Sequence, residues 1–176
     1  MCPACHQQTL RHTELEPLLP CYRCERCGGQ WIRGEHYLRW LTHPDRKPME
    51  PAPAAGEIHD STRAMICPEC GRLLSRYRVG HGADFVVDHC AGCGGIWLDR
   101  HEWESLERMH LADRIHHIFS SAWQAQNLRE QQQRAAAQLL IDRIGADHFA
   151  ELTRMTEWIR SHPRRQEIRA FLLDHL

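Results

Sequence analysis

Polar and apolar positions alternate most clearly over residues 73–79, where Leu73, Ser75, Tyr77 and Val79 interleave with Leu74, Arg76 and Arg78. Gly80-His81-Gly82-Ala83-Asp84 then turns the chain into Phe85-Val86-Val87-Asp88, a pattern that predicts a β-hairpin. The comparable stretch 9–20 contains Pro17 and Pro20, and proline cannot donate to a ladder, so only a shorter or edge pairing is expected there. Beyond residue 100 the period changes. Trp103, Leu106, His110, Ile115, Ile118, Phe119 and Ala122 recur at roughly helical spacing, and Leu128, Ala135, Leu139 and Ile144 extend the stripe more sparsely as far as Gly145. Asp99-Arg100-His101-Glu102 has the form of a capping box that starts this helix. Uninterrupted, the helix would run about 44 residues and on the order of 65 Å. A break or a partner is therefore expected, with Asn127 and the polar stretch 129–134 as the weak point. Two shorter helices follow: Asp147 caps one that carries Phe149, Leu152, Thr156 and Ile159 on a face, and Pro163 opens another that carries Ile168, Phe171 and Leu172.

The front half is duplicated. Cys2-Pro3-Ala4-Cys5 returns as Cys67-Pro68-Glu69-Cys70, and Cys24-Glu25-Arg26-Cys27-Gly28-Gly29-Gln30-Trp31-Ile32 returns as Cys90-Ala91-Gly92-Cys93-Gly94-Gly95-Ile96-Trp97-Leu98. Four prolines fall within residues 44–56, a composition that favours an extended spacer. The expected organisation is residues 1–43 as a first unit, 44–64 as a proline-rich linker, 65–105 as a second unit and 106–176 as a helical tail or bundle.

Each Cys-x2-Cys pair sets two thiolates on one tight turn, and a second turn across a hairpin completes a tetrahedron around one ion. The spacing therefore predicts two sites, Cys2, Cys5, Cys24 and Cys27 in one and Cys67, Cys70, Cys90 and Cys93 in the other. Gly28 and Gly94 fit the positive φ of such turns, with backbone N–H groups pointing at sulfur. A unit of ~35 residues buries too little apolar surface to fold alone, whereas zinc ligation can supply on the order of 10–16 kcal/mol coupled to folding. Two zinc ions per chain are expected, with iron as the rival metal. Cys21 also lies two residues from a cysteine, in Cys21-Tyr22-Arg23-Cys24, but the shared Cys-Gly-Gly-x-Trp frame aligns it with Val87 and reads it as a free thiol.

At these residues the chain resembles the transcription factor IIB type zinc ribbons, in particular the small bacterial proteins with Cys-Pro-x-Cys followed by Cys-x2-Cys-Gly-Gly-x-Trp-Leu-Asp-x-x-Glu. The second unit matches through Cys67, Pro68, Cys70, Cys90, Cys93, Gly94, Gly95, Trp97, Leu98, Asp99 and Glu102. The first departs at Trp31-Ile32-Arg33-Gly34-Glu35, one residue shorter before the glutamate and without the aspartate cap. The resemblance implies zinc binding, a ribbon fold and an association with transcription for residues 1 to about 105. It is silent on the tail. The fold class expected is two tandem zinc-ribbon β units followed by an all-α carboxyl-terminal region.

Other chemistry is weaker. His12-Thr13-Glu14 ahead of Pro20-Cys21-Tyr22-Arg23-Cys24 imitates a zinc-deaminase pattern, but five intervening residues cannot place the motifs on separate helices. His101, His110, His116 and His117 read as scattered surface imidazoles before they read as a second kind of metal site. No carboxylate pair, Ser/His/Asp order or phosphate-binding glycine loop stands out, and a tetrathiolate zinc has no open position, so no enzymatic activity is expected.

Composition adds the compartment and the ranking of partners. Of 176 residues 22 are basic, all arginine except Lys47, against 23 acidic, for a formal charge of −1 that eight zinc-bound thiolates take to about −5. No apolar run spans a bilayer, and the amino terminus lacks a basic-then-apolar leader. Nine cysteines in such a chain point to metal ligation in a reducing cytoplasm. The leading expectation is a zinc-binding adaptor for a protein partner, with no membrane contact and a helical tail that packs, self-associates or binds a second surface. A nucleic-acid- or RNA-polymerase-associated regulator ranks second, and a thiol-redox or metal-delivery protein that uses Cys21 ranks third.

Overall fold

A computed structural model describes residues 1–46, 56–58 and 60–175. The chain divides into an amino-terminal unit, Met1–Asn127, and a carboxyl-terminal unit, Leu128–Leu176.

The amino-terminal unit is built on one six-stranded antiparallel sheet in the order β1-β2-β3-β6-β5-β4. The first repeat supplies β1 (Arg11–Glu16), β2 (Leu19–Arg23) and β3 (Gln30–Ile32), followed by helix α1 (Gly34–Leu41). The second supplies β4 (Ser75–Gly80), β5 (Ala83–His89) and β6 (Ile96–Leu98), followed by helix α2 (Glu102–Arg108). The hairpin at 75–89 forms as the alternation predicts. That of the first repeat is only slightly shorter, and Pro20 is tolerated within it because β3 pairs with Tyr22 and Arg23 alone, leaving Pro20 beyond the β2–β3 ladder.

The two repeats join through β3 and β6, with Gln30 opposite Leu98, Trp31 opposite Trp97 and Ile32 opposite Ile96. Alternation sorts these short strands onto two faces. Ile32, Ile96 and Leu98 point into a core shared with Leu19, Cys21, Val79 and Val87 of the hairpins and Tyr37, Trp40, Trp103 and Leu106 of α1 and α2. Trp31 and Trp97 point to the opposite face, among the cysteines, Met65 and Leu74. Each tryptophan lies over a glycine of the other repeat: a Cβ built on Gly95 would sit 2.1 Å from the Trp31 ring, and one on Gly29 2.2 Å from the Trp97 ring. The Gly-Gly-x-Trp frame thus makes a reciprocal lock between the repeats.

The helical stripe after residue 100 is interrupted, but not at Asn127. It breaks first at His110, whose φ of 56° is left-handed. Its N–H donates to the Glu107 carbonyl while the Leu111 N–H donates to that of Leu106, closing α2 with the paired bonds usually built around glycine. A 3-10 turn (Ala112–Arg114) and α3 (Ile115–Ile118) follow, pinned by the Tyr37 hydroxyl, which donates to the Ala112 carbonyl and accepts from the Ile115 N–H. The second break is at Ser120, whose hydroxyl oxygen accepts from the Trp123 N–H and so opens α4 (Ser121–Ile144). Asn127 is no weak point: it is buried, and its amide donates to the Arg78 carbonyl. Gln124 bonds both the N–H and the carbonyl of Arg78, and Trp123 donates to the Val79 carbonyl, so α4 closes the outer edge of β4 with side chains. Ala122, expected on the core stripe, is exposed.

Ten of the 21 residues read as linker, 47–55 and His59, lie outside the described residues. Beyond them Ile58 packs on the shared core, and Asp60 and Ser61 bond to the second repeat. In the carboxyl-terminal unit the remainder of α4 is followed by α5 (Ala146–Ser161) and α6 (Arg165–His175). Gly145, with φ of 88°, stands at the amino end of α5, where Asp147 had been the expected cap. Neither α5 nor α6 buries a residue fully.

Candidate metal centres and the surfaces around them

Each repeat builds its cluster from two knuckles. In the first repeat the Cys2 N–H donates to the Gln8 carbonyl, and Cys24 exchanges bonds with Gly28 and Gly29. The second repeats this with Cys67 and Arg72, and with Cys90, Gly94 and Gly95. Gly28 and Gly94, with φ of 77° and 72°, take the left-handed turn that glycine tolerates best. Their N–H groups close the turn onto the Cys24 and Cys90 carbonyls and do not point at sulfur. Sulfur-directed bonds come from neighbouring N–H groups: Cys5 to Cys2 Sγ at 3.5 Å, Glu69 and Cys70 to Cys67 Sγ at 3.4 and 3.5 Å, and the second glycine of each pair, Gly29 and Gly95, to Cys27 and Cys93.

The knuckles bring together Cys2, Cys5, Cys24 and Cys27 in one cluster and Cys67, Cys70, Cys90 and Cys93 in the other, with all sulfurs of a set within 4.8 Å of one another. The closest sulfur pairs are Cys2–Cys27 at 3.7 Å, Cys5–Cys24 at 3.6 Å, Cys67–Cys93 at 3.5 Å and Cys70–Cys90 at 3.4 Å. A tetrahedron with Zn–S bonds of about 2.3 Å has edges of about 3.8 Å, so the four-sulfur sets have the size and donor chemistry of structural zinc. Crowding splits the thiol acidities: the hydrogen bond from Cys2 pulls Cys27 down to about 5, while Cys2 itself is pushed well up.

Cys21 joins neither cluster. It is fully buried in the apolar core, as is Val87, with which it aligns, and burial raises its thiol to about 11. The deaminase-like residues lie on a single hairpin, where Thr13 pairs with Cys21. Among the described residues no histidine joins a cluster of three or more potential ligands.

Sequence reasoning missed a third cluster, Asp60, Asp99 and Glu102, whose carboxylate oxygens lie within 4.8 Å of one another. Half of the expected capping box forms, with the Asp99 N–H donating to Glu102 Oε2 at 2.8 Å. The other half does not: the Asp99 carboxylate accepts from the Trp97 indole N–H at 2.9 Å and from the Ser61 N–H at 2.7 Å. The one signal available beforehand was Asp99-x-x-Glu102 itself, and its third partner belongs to the interval read as linker.

Several arginines in and beside the ribbons face a carboxylate. Arg11 pairs with Glu25, Arg33 with Glu69, Arg46 with Asp113, Arg76 with Asp88 and Arg78 with Asp84. Among the described residues no helix is long and apolar enough to cross a membrane.

Neither the curated proteins nor the solved structures contain a match to the chain. A match does exist to the family described as transcription factor zinc-finger, over residues 1–43 and 66–109. These segments coincide with the two repeats, and each contains one four-cysteine cluster. The amino-terminal part of the chain is accordingly two tandem zinc ribbons of the transcription factor IIB type, and the protein carries two zinc ions.

Proposed function

We propose that the protein is a non-enzymatic, cytoplasmic zinc-dependent adaptor for a protein partner. One ion is held by Cys2, Cys5, Cys24 and Cys27 and the other by Cys67, Cys70, Cys90 and Cys93, and each ion's role is to fix two knuckles so that the small ribbons fold. Four thiolates leave zinc no open position for a substrate. The observation that carries the adaptor reading is the apolar face of α5, where Leu152, Met155 and Trp158 are 45%, 55% and 56% exposed at helical spacing. Large apolar side chains grouped on a surface are characteristic of interaction sites, and tryptophan is prominent among interface hot spots. The test is affinity capture from the source organism with a carboxyl-terminal tag, because a tag at Met1 would adjoin Cys2. A protein recovered after nuclease treatment by the wild type, and lost with Trp158→Glu, is the expected result. Recovery only of nuclease-sensitive material would overturn it.

A regulator that contacts nucleic acid or RNA polymerase is the second reading, favoured by the description of the family. The ion pairs of Arg11, Arg33, Arg76 and Arg78 weigh against the nucleic-acid form, since affinity for phosphate backbones depends on clustered cations that release counterions. The buried, high-pKa thiol of Cys21 lends no support to redox chemistry or metal delivery.

A further inference from the structure

The second repeat buries carboxyl groups in an unusual way. Glu102 is 1% exposed and Asp60 and Asp99 are half-buried, yet no lysine or arginine pairs with any of the three among the described ion pairs. Four carboxylate oxygens are satisfied: both of Asp99 by Trp97 and Ser61, Oε2 of Glu102 by the Asp99 N–H, and Oδ2 of Asp60 by the Val86 N–H at 3.2 Å. The remaining two, Oε1 of Glu102 and Oδ1 of Asp60, are buried with no partner outside the cluster, and the one hydrogen bond open to Glu102 there, to Asp60, needs a proton on one of the two carboxyls. Leaving one such atom unpaired costs ~1–3 kcal/mol, more when it is charged.

Helix capping accounts for Glu102 Oε2 and leaves Oε1 unexplained. The first repeat makes the contrast plain: its corresponding glutamate, Glu35, lies at the start of α1 with its side chain 63% exposed. Only the second repeat turns the glutamate inward, and only there does the segment between the repeats bring a further carboxylate against it.

We propose that Asp60, Asp99 and Glu102 hold a hard divalent cation of the calcium, magnesium or manganese class, bound through carboxylate oxygens and completed by water. An all-oxygen donor set suits these ions and disfavours zinc, which has four thiolates available in each ribbon. The ion supplies the positive charge that the three carboxylates lack and gives the two orphaned oxygens a partner. It also fastens residues 60 and 61 to the head of α2, so that the segment between the repeats is clipped to the second ribbon.

The test uses the full-length protein with both zinc ions in place and Mn2+ as the probe, followed by its electron paramagnetic resonance signal. One Mn2+ per chain should bind saturably and be displaced by Ca2+ or Mg2+. Asp60→Asn should weaken binding ~10-fold or more, while Asp84→Asn, at a carboxylate on the exposed hairpin turn, should leave it unchanged. Zinc content by native mass spectrometry shows whether Asp60→Asn is folded. If it is not, Tb3+ luminescence excited through tryptophan in the wild type, and its quenching by Ca2+, takes its place. Absence of saturable Mn2+ binding at millimolar concentration, or equal binding by wild type and folded Asp60→Asn, would overturn the proposal. Asp60 and Glu102 would then share a proton.

Discussion

Replacing Gly95 with alanine tests the lock between the ribbons with a single methyl group. Gly95 is not among the glycines with positive φ, so the backbone accepts alanine and the cost is steric. The new Cβ would lie 2.1 and 2.4 Å from Cζ2 and Cη2 of Trp31, where carbon atoms prefer about 3.5–4.0 Å. The indole must retreat by roughly 1.5 Å, yet it is 1% exposed and packed among Cys2, Met65 and Leu74. Overpacking of this kind costs ~1–3 kcal/mol, offset by ~0.4–1 kcal/mol from the stiffer unfolded chain. A net loss of ~1–2 kcal/mol lowers Tm by about 3–8 °C for a unit of this size, read by circular dichroism at fixed free zinc. Trp31→Phe removes the ring edge that the methyl group strikes, so Gly95→Ala should cost little in that background, a coupling of about 1 kcal/mol or more. Gly29→Ala should cost more than Gly95→Ala: Trp97 is tied by its indole N–H to Asp99, whereas that of Trp31 has no partner. An unchanged Tm for Gly95→Ala, or an equal loss with and without Trp31, would refute the lock.

Three further outcomes are expected. Native mass spectrometry should find two zinc ions in wild type and in Cys21→Ser but one in Cys24→Ser; loss of an ion from Cys21→Ser would reassign the ligands. Burial, reinforced by the facing carboxylate of Glu16, pushes Glu107 up to about 8, so the folded chain holds a proton that the unfolded one releases near 4.5. Stability must then fall as pH rises from about 5 to 8, by up to ~1.4 kcal/mol per pH unit for this proton, and Glu107→Gln should reduce the slope by that amount; an unchanged slope in urea titrations counts against it. Duplex DNA should bind weakly and without sequence preference in a salt titration of the zinc-loaded protein, whereas submicromolar affinity with a steep salt dependence would promote the nucleic-acid reading.

What was legible in the sequence and what was not follows from the range of each interaction. The cysteine spacing encodes a local geometry, two turns joined by a hairpin, so both clusters could be named residue by residue. His110 was read as a member of the helical stripe because a left-handed residue that is not glycine leaves no compositional mark. Its role shows only in the bonds of its N–H and that of Leu111 to Glu107 and Leu106. Asn127 was misread for the opposite reason: a polar residue in a sparse stripe looks like a defect until the Arg78 carbonyl it satisfies, 49 positions away, is known. Asp60 was invisible as part of a cluster because the composition around it is that of a spacer.

The conserved form of the two repeats acquires its physical meaning only when they are placed side by side. Trp31 opposite Trp97 puts an approximate two-fold axis between β3 and β6, so each repeat presents the same glycine and tryptophan to the other, as identical subunits do across an isologous interface. Symmetry of this kind explains why the Gly-Gly-x-Trp frame is held in both copies while the hairpins diverge. The departures from it are where the second repeat has taken on separate tasks. Its outer strand β4 is sealed by Trp123, Gln124 and Asn127 of α4, whereas β1 forms the other edge of the sheet. Its helix-capping Glu102 is turned inward against Asp60, while Glu35 faces solvent. A duplicated fold that has become asymmetric at one edge and one helix start, while keeping its zinc knuckles and its lock, divides the labour: the shared parts hold the sheet together, and the altered parts fasten what leads into and out of the second ribbon.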